Sequence, residues 1–321
     1  LVEYQNQTLK ELESKIPLIQ KTLETLELLV PPLLTQTPQE QAFFWKIRKG
    51  MFPSIGATRQ QGTTVIIEDI AFPLPYLAQA VTELQALFQK HHYADGIIFG
   101  HAKDGNLHFV LTQSFNTAQE VERYEHFMND VVELVVKKYE GSLKAEHGTG
   151  RNMAPFVKAE WGKDAYELMQ EIKSLFDPHN LLNPGVIINP DPKAHIKHLK
   201  SLPIIEPEVD KCIECGFCEP KCPSRRLTLT PRQRIVVQRE LARLKEIGDH
   251  KQLKAIQQDY AYAVIQTCAT DGLCATACPV QIDTGQLVKR LRESNHHPIQ
   301  NHIAYFLSTQ FQTVEIILRL G

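Results

Sequence analysis

Cysteine is missing from most of this 321-residue chain: none lies before residue 212 or after residue 278. The count of seven is odd, which excludes a full disulfide framework. Charge of one sign is also lacking. The formal net charge of −2 offers no basic excess for nucleic acid. No apolar run reaches the roughly 18 residues that a membrane-spanning helix needs. The first residues, LVEYQNQTLKELESK, lack the basic-then-apolar order of a secretory leader. The chain starts at Leu1 rather than Met and is expected to be a segment of a longer protein. A glycine-rich phosphate loop is missing too. The G-x-G of EHGTGR is followed by Arg151 and is a weak nucleotide signal. The remaining composition, 43% hydrophobic and 22% charged, suits two or three packed domains.

The cysteines that are present carry the strongest pattern. Cys212, Cys215, Cys218 and Cys222 stand as C-x2-C-x2-C-x3-C-P, the spacing of a bacterial [4Fe–4S] run. Cys268, Cys274 and Cys278 form CATDGLCATACP, and Asp271 stands where the aligned fourth cysteine is missing. Soft thiolate suits iron. In two-cluster folds the last cysteine of each run binds the other cluster. That rule assigns Cys212, Cys215, Cys218 and Cys278 to one cluster. It assigns Cys268, Cys274 and Cys222 to a second, with Asp271 as the fourth candidate. Asp271 ligates iron, leaves that position to water, leaves a three-iron cluster, or is a turn aspartate before Gly272. One or two [4Fe–4S] clusters are therefore expected. A zinc site would leave three cysteines unexplained. Cysteines gathered in metal runs rather than disulfides fit a reducing compartment, so the expected location is cytoplasmic.

Residues 1–190 read as alternating helices and strands. Apolar spacing predicts helices over about 7–29, stopped by Pro31-Pro32, and over 38–49. TTVIIEDIAFP (63–73) reads as a strand, 75–91 as a helix, and 96–113 as two strands around a DGN turn. A helix over 117–140, a loop carrying EHGTGR (146–151) and two shorter helices within 153–176 follow. This order predicts an α+β domain, an antiparallel sheet with helices on one face. Residues 191–210 are rich in proline and charge and read as a linker. From 211 to 321 only helices are predicted, near 231–247, 250–267, 283–293 and 298–319. That describes an all-α, ferredoxin-like iron–sulfur domain. Its terminal segment, HIAYFLSTQFQTVEIILRLG, is apolar at helical spacing. It reads as a core helix, with a peripheral contact at the inner membrane face as the alternative.

A second constellation lies upstream: His101 and His108 in HAKDGNLH, and Glu146 with His147 in EHGTGR. The DGN turn lets His101 and His108 face one point from adjacent strands. Two imidazoles and a carboxylate suit zinc or manganese with an open coordination position. His147 is then a spare imidazole beside a metal ligand, of a residue type that takes protons near neutrality. The plainer alternative is a set of satisfied histidines in a polar hairpin.

FGHAKDGNLHF, EHGTGR and SLFDPHNLLNPGVI together resemble the C-terminal substrate (cap) domain of FAD-linked D-2-hydroxyacid dehydrogenases. CIECGFCEPKCPSRRLTLTPRQRI resembles the iron–sulfur domain of their large bacterial members. The resemblance implies that His101, His108 and Glu146 are metal ligands and His147 the catalytic base. It places Asn106 and Asn183 near the flavin. It matches Arg48 to an arginine that pairs with the substrate carboxylate, a task suited to its two-pronged fork; alone, Arg48 reads as a surface charge. Three positions depart from the family pattern: Lys103 replaces a small residue, Ile67 stands where some members have lysine, and Val110 where some have asparagine.

The implied function is FAD-dependent oxidation of a D-2-hydroxyacid, D-2-hydroxyglutarate or D-lactate, to the 2-oxoacid. Electrons would pass through the clusters to an external acceptor, a quinone or redox protein. FAD itself would be bound mainly by a domain outside this segment. The full-length protein is expected to be a homo-oligomer. The alternatives are a non-catalytic electron-transfer subunit that docks a partner flavoprotein, and a structural zinc protein.

Overall fold

The computed structural model describes residues 1–320. The chain forms two compact units, Leu1–Ser54 and Ile55–Gly321.

In the first unit, α1 (Leu9–Glu24) opens on a capping box. Thr8 Oγ1 accepts from Glu11 N at 3.3 Å and Glu11 Oε2 accepts from Thr8 N at 3.2 Å. It ends at Glu24, short of the predicted 29. The Thr22 and Thr25 hydroxyls donate back to the carbonyls of Leu18 and Thr22, at 2.9 and 2.7 Å, and compete with continued helix. α2 (Pro38–Thr58) begins in this unit and runs past the predicted 49. Arg59 closes its far end, with Nη1 donating to Gly56 O at 2.5 Å.

The second unit begins with a three-stranded antiparallel sheet of order β1-β3-β2. Its elements are β1 (Thr64–Ala71), α3 (Leu77–Lys90), β2 (Ile97–His101), β3 (Asn106–Gln113), α4 (Ala118–Val132) and α5 (Val157–Phe176). Alternation along the strands sends Ile70, Leu107, Phe109 and Leu111 to one face. There they bury against Leu84 and Phe88 of α3 and Phe127, Met128 and Val131 of α4. Phe109 is the hub, 5.8 Å ring to ring from both Phe88 and Phe127. Each such fully buried side chain contributes roughly 1.5–3 kcal/mol. α4 starts on a second capping box, Thr117 with Glu120, and runs into a π-helical turn over Glu133–Lys138. Gly162, at φ 78, breaks α5 into two shorter helices, as the sequence predicts.

The β2–β3 turn needs its glycine. Gly105 lies at φ 69, and a side chain there would also collide with the Phe72 carbonyl. With this turn fixed, the register sets Asp69 and Phe99 opposite His108, and Ala71 and His101 opposite Asn106. Opposed residues share a face. All six therefore lie on the face turned away from α3 and α4.

The rest of the unit is helical: α6 (Pro207–Asp210), α7 (Pro231–Glu246), α8 (His250–Tyr260), α9 (Leu273–Ala277), α10 (Thr284–Ser294), α11 (Pro298–Thr309) and α12 (Phe311–Leu320). No strand occurs beyond residue 210 among the described residues. The helix predicted over 250–267 is α8 extended by a π-helical turn, Ala261–Gln266. That predicted over 298–319 is two helices broken at Gln310 (φ −114, ψ 33). Their apolar side chains, including Ile303, Phe306 and Ile317, are exposed rather than in a core. Among the described residues no helix is long and apolar enough to cross a membrane.

The proline-rich segment read as a linker is ordered by its neighbours. Arg59 ties its end with both Nη atoms: Nη2 donates to Asp210 O and, just beyond, to Cys212 O at 3.1 Å, and Nη1 to Lys211 O at 2.9 Å. Beyond it stand two small cores. Val209, Ile235, Ile282 and Leu287 pack with Cys212 and Cys278, and Tyr260, Val264, Ile265 and Val288 pack with Cys268.

Candidate metal centre and cluster sites

The sheet register brings His101 and His108 to one face, and the loop after residue 142 folds back over it. Ala71 and Ser142 form the bridge that starts this return. Glu146 arrives with Oε1 3.0 Å from His108 Nε2 and 3.3 Å from His101 Nε2. Three donor atoms thus converge within 4.8 Å of one another. His147 stacks on His108 with ring centroids 4.8 Å apart and planes 5° from parallel. Its Nε2 lies 3.7 Å from Glu146 Oε1. His108 is buried, whereas His101, Glu146 and His147 are exposed. Burial holds the His108 imidazole below its ordinary pKa, in the neutral form that ligates metals.

Asp69 organises this group, and sequence reasoning did not number it among the site residues. It is fully buried. Its Oδ2 accepts the backbone N–H groups of Glu146 (2.6 Å) and His147 (2.8 Å). Its Oδ1 accepts from Asn106 Nδ2 at 2.6 Å and lies 3.3 Å from His108 Nδ1. Burial pushes its pKa up, but these donors outweigh burial and hold the carboxylate below its usual range. A signal existed in TTVIIEDIAFP: Asp69 shares the strand parity of Ile67 and Ala71, the face opposite to Ile70. Asp69, His108 and His147 also lie close enough to form a donor group. The Asp69 oxygens, however, are already engaged, so His101, His108 and Glu146 form the set with free donor capacity.

Beneath the site, Glu68 points into the core side of the sheet, 3% exposed. Lys144 Nζ meets it at 2.5 Å and Asn152 Nδ2 also donates to it. Burial raises its pKa despite the lysine.

Asn106 uses its amide nitrogen on Asp69, and its Oδ1 is buried without a partner among the described residues. Such an orphan acceptor on the site face suits a donor from a bound group. Asn183 sits in the turn after α5 at φ 44. Asp177 shapes this turn through the N–H groups of Leu181 (2.9 Å) and Leu182 (2.8 Å). The same segment meets the EHGTGR loop where Ile187 N donates to Gly150 O at 3.3 Å. No contact among the described residues joins Asn183 to Asn106. Arg48 belongs to the other unit, where its guanidinium lies 5.5 Å from the Trp45 ring centroid.

The cysteines fall into two neighbourhoods. Burial pushes the Cys218 thiol up to about 12, and Cys212, Cys278 and Cys215 lie near enough to add to that rise. Cys222, Cys268, Asp271 and Cys274 line one recess, with about 300 Å³ free of protein atoms, open solvent included. Each neighbourhood combines residues of both runs. Gly272, at φ 73, turns the chain into α9. Asp271 Oδ1 accepts from Leu273 N at 3.1 Å and leaves Oδ2 free of protein partners among the described residues. Cysteines gathered around one recess fit an iron–sulfur cluster by donor chemistry.

Two family models match the chain. Residues 1–187, more than half of the chain, match the family described as FAD linked oxidases, C-terminal domain. The chain belongs to the FAD-linked oxidase family. Residues 208–282 match the 4Fe–4S dicluster domain, so the chain also carries an iron–sulfur module. Among relatives, it is 29% identical to the glycolate oxidase subunit GlcD of Bacillus subtilis, over 50% of this chain and 34% of that protein. It is 27% identical to D-2-hydroxyglutarate dehydrogenase of Escherichia coli, over 74% of this chain and 28% of that one. A mitochondrial D-lactate dehydrogenase [cytochrome] of Arabidopsis thaliana is 29% identical over 49% and 27% of the two chains. The chain therefore spans about a third of the length of the curated relatives it matches.

Proposed function

We propose that this chain is the substrate-cap and iron–sulfur part of an enzyme that oxidises a D-2-hydroxyacid to its 2-oxoacid. Electrons leave through the clusters to an external quinone or redox protein. The observation that carries the reading is the convergence of His101, His108 and Glu146 with His147 stacked beside them. Family membership supplies FAD, and the fused dicluster domain supplies the electron exit.

When bound, FAD would supply a hydride acceptor, zinc or manganese a Lewis acid for the substrate oxygens, and the clusters one-electron carriers. The chain's own residues do the rest. His101, His108 and Glu146 would hold the metal, and Asp69, 3.3 Å from His108 Nδ1 through one oxygen, fixes the Glu146–His147 backbone through the other. His147 takes the substrate hydroxyl proton at Nε2, the ring nitrogen that lies beside Glu146. Arg48 binds the substrate carboxylate. Asn106 and Asn183 contact the flavin, Asn106 through its orphan Oδ1. Cys212, Cys215, Cys218 and Cys278 hold one cluster; Cys222, Cys268, Cys274 and Asp271 hold the other.

The next row on the site face is Ile67, Val110 and Ile97, apolar throughout. It offers no charge to a second carboxylate. This favours an acid of the D-lactate type over D-2-hydroxyglutarate.

The test is rapid-mixing flavin reduction in the full-length protein with each acid, before and after His147→Ala. Reduction should fall by about 10²–10⁴-fold in the variant. Undiminished reduction would remove His147 as base. Iron without zinc or manganese, and no reduction by either acid, would leave an electron-transfer subunit instead.

A further inference from the structure

The recess of Cys222, Cys268, Asp271 and Cys274 contains a buried cation that nothing above uses. Arg234, on α7, lines it and is 1% exposed. Its Nε donates to Val264 O at 3.1 Å and its Nη2 to Thr267 Oγ1 at 3.4 Å. Its Nη1 points at Cys222 Sγ, 3.6 Å away. No carboxylate pairs with it among the described residues. The contrast with Arg239, one and a half turns along the same helix, is informative. Arg239 is also buried, at 3%, but its Nη1 meets Glu214 Oε1 at 2.7 Å.

A guanidinium taken out of water without a counter-ion is strongly disfavoured. Carbonyl and hydroxyl acceptors satisfy its hydrogen bonds but not its charge. The remaining neighbour is sulfur, and a thiol is neutral. A negative partner for Arg234 arises there only when Cys222 and its companions hold a metal cluster.

We infer that Arg234 is the fixed counter-charge of the second cluster, acting on it through Cys222, and that it raises that cluster's reduction potential. One-electron reduction adds one negative charge to the cluster, with no bond made or broken. A fixed positive charge and a hydrogen bond to a ligand sulfur both favour the reduced state. The electron comes from the flavin in turnover, or from dithionite in a titration. This inference rests on the two-cluster reading.

The experiment is an anaerobic dithionite titration of the full-length protein, followed by electron paramagnetic resonance, with iron counted. Wild type, Arg234→Gln and Arg234→Lys are compared. Gln places its amide where Nε lies, so it keeps a donor for Val264 O but removes the charge and the group facing Cys222; Lys keeps the charge. The expected result is a second-cluster potential moved to more negative values in Gln, held near wild type in Lys, with the first cluster unmoved. Failure of Gln alone to load the second cluster also supports the assignment. An unmoved second-cluster potential in Gln overturns it. So does loss of both clusters, or of the fold, in both variants, since Arg234 is then a structural tie. A single cluster in wild type sinks the two-cluster reading itself, separately from either variant.

Discussion

Asp69 sits behind His108: its Oδ1 lies 3.3 Å from Nδ1, which makes no hydrogen bond among the described residues, while Nε2 of the same ring faces Glu146 Oε1 at 3.0 Å. The other Asp69 oxygen fixes the backbone on which Glu146 and His147 ride. One buried carboxylate thus fixes the backbone of two of the four residues in the proposed centre and lies against a third.

Asp69→Asn keeps the shape but turns one acceptor into a donor, facing either the two backbone N–H groups or the Asn106 amide. Metal affinity should drop about 10–100-fold, the range for residues that orient metal ligands. Zinc and manganese titration of the full-length protein measures this. Unchanged affinity would mean that the loop holds its position without Asp69.

Glu68 and Lys144 form a buried pair, their side chains 3% and 13% exposed. Lys144→Met leaves the carboxylate without its partner and should destabilise the fold by about 3–5 kcal/mol. Adding Glu68→Leu should restore most of that loss, because the stranded charge goes too. Melting temperatures of the single and double variants decide it; an unaltered single variant refutes the pair's role.

Asp177 has a carboxyl held down to about 2 by Lys173 and the Leu181 and Leu182 amides. A depressed folded pKa stabilises above the unfolded value, here the ordinary 3.8. That contribution is full above about pH 4 and is lost as pH falls toward about 2. Hydrogen-exchange protection of the Leu181 and Leu182 amides should follow this window, and Asp177→Asn should abolish the dependence. Protection that stays level from pH 4 to the acid limit of the fold would contradict it.

The cysteine neighbourhoods predict a crossed pattern of loss. Cys222→Ser should remove the same paramagnetic signal as Cys274→Ser, although Cys222 belongs to the first run. Cys278→Ser should remove the signal lost in Cys212→Ser. Asp271→Cys completes a four-thiolate set and should slow the bleaching of the second cluster in air. Signals lost run by run, rather than crosswise, would show that each run holds its own cluster.

Much of this was legible in the chain because the relevant signals are local. Alternation in TTVIIEDIAFP and the DGN turn give β1 and the hairpin directly, and apolar spacing gives α3 and α4. Where the expected helix ends moved, the cause was a side chain acting on the backbone: Thr25 at the end of α1, Arg59 at the end of α2. The C-x2-C spacing is a ligand pattern in itself. Asp69 was harder to see because its value lies in partners far along the chain, at Asn106, Glu146 and His147.

The sequence by itself determined the element types, the two cysteine runs and the histidine–carboxylate set, since spacing and alternation are properties of neighbouring residues. Tertiary structure decided which residues meet. It set Asp69 behind His108, gathered Cys222 with Cys268 and Cys274, and paired Arg239 with Glu214 while leaving Arg234 facing sulfur. Those outcomes depend on strand register and helix packing across long separations, where burial fixes the charge balance and no local pattern records it.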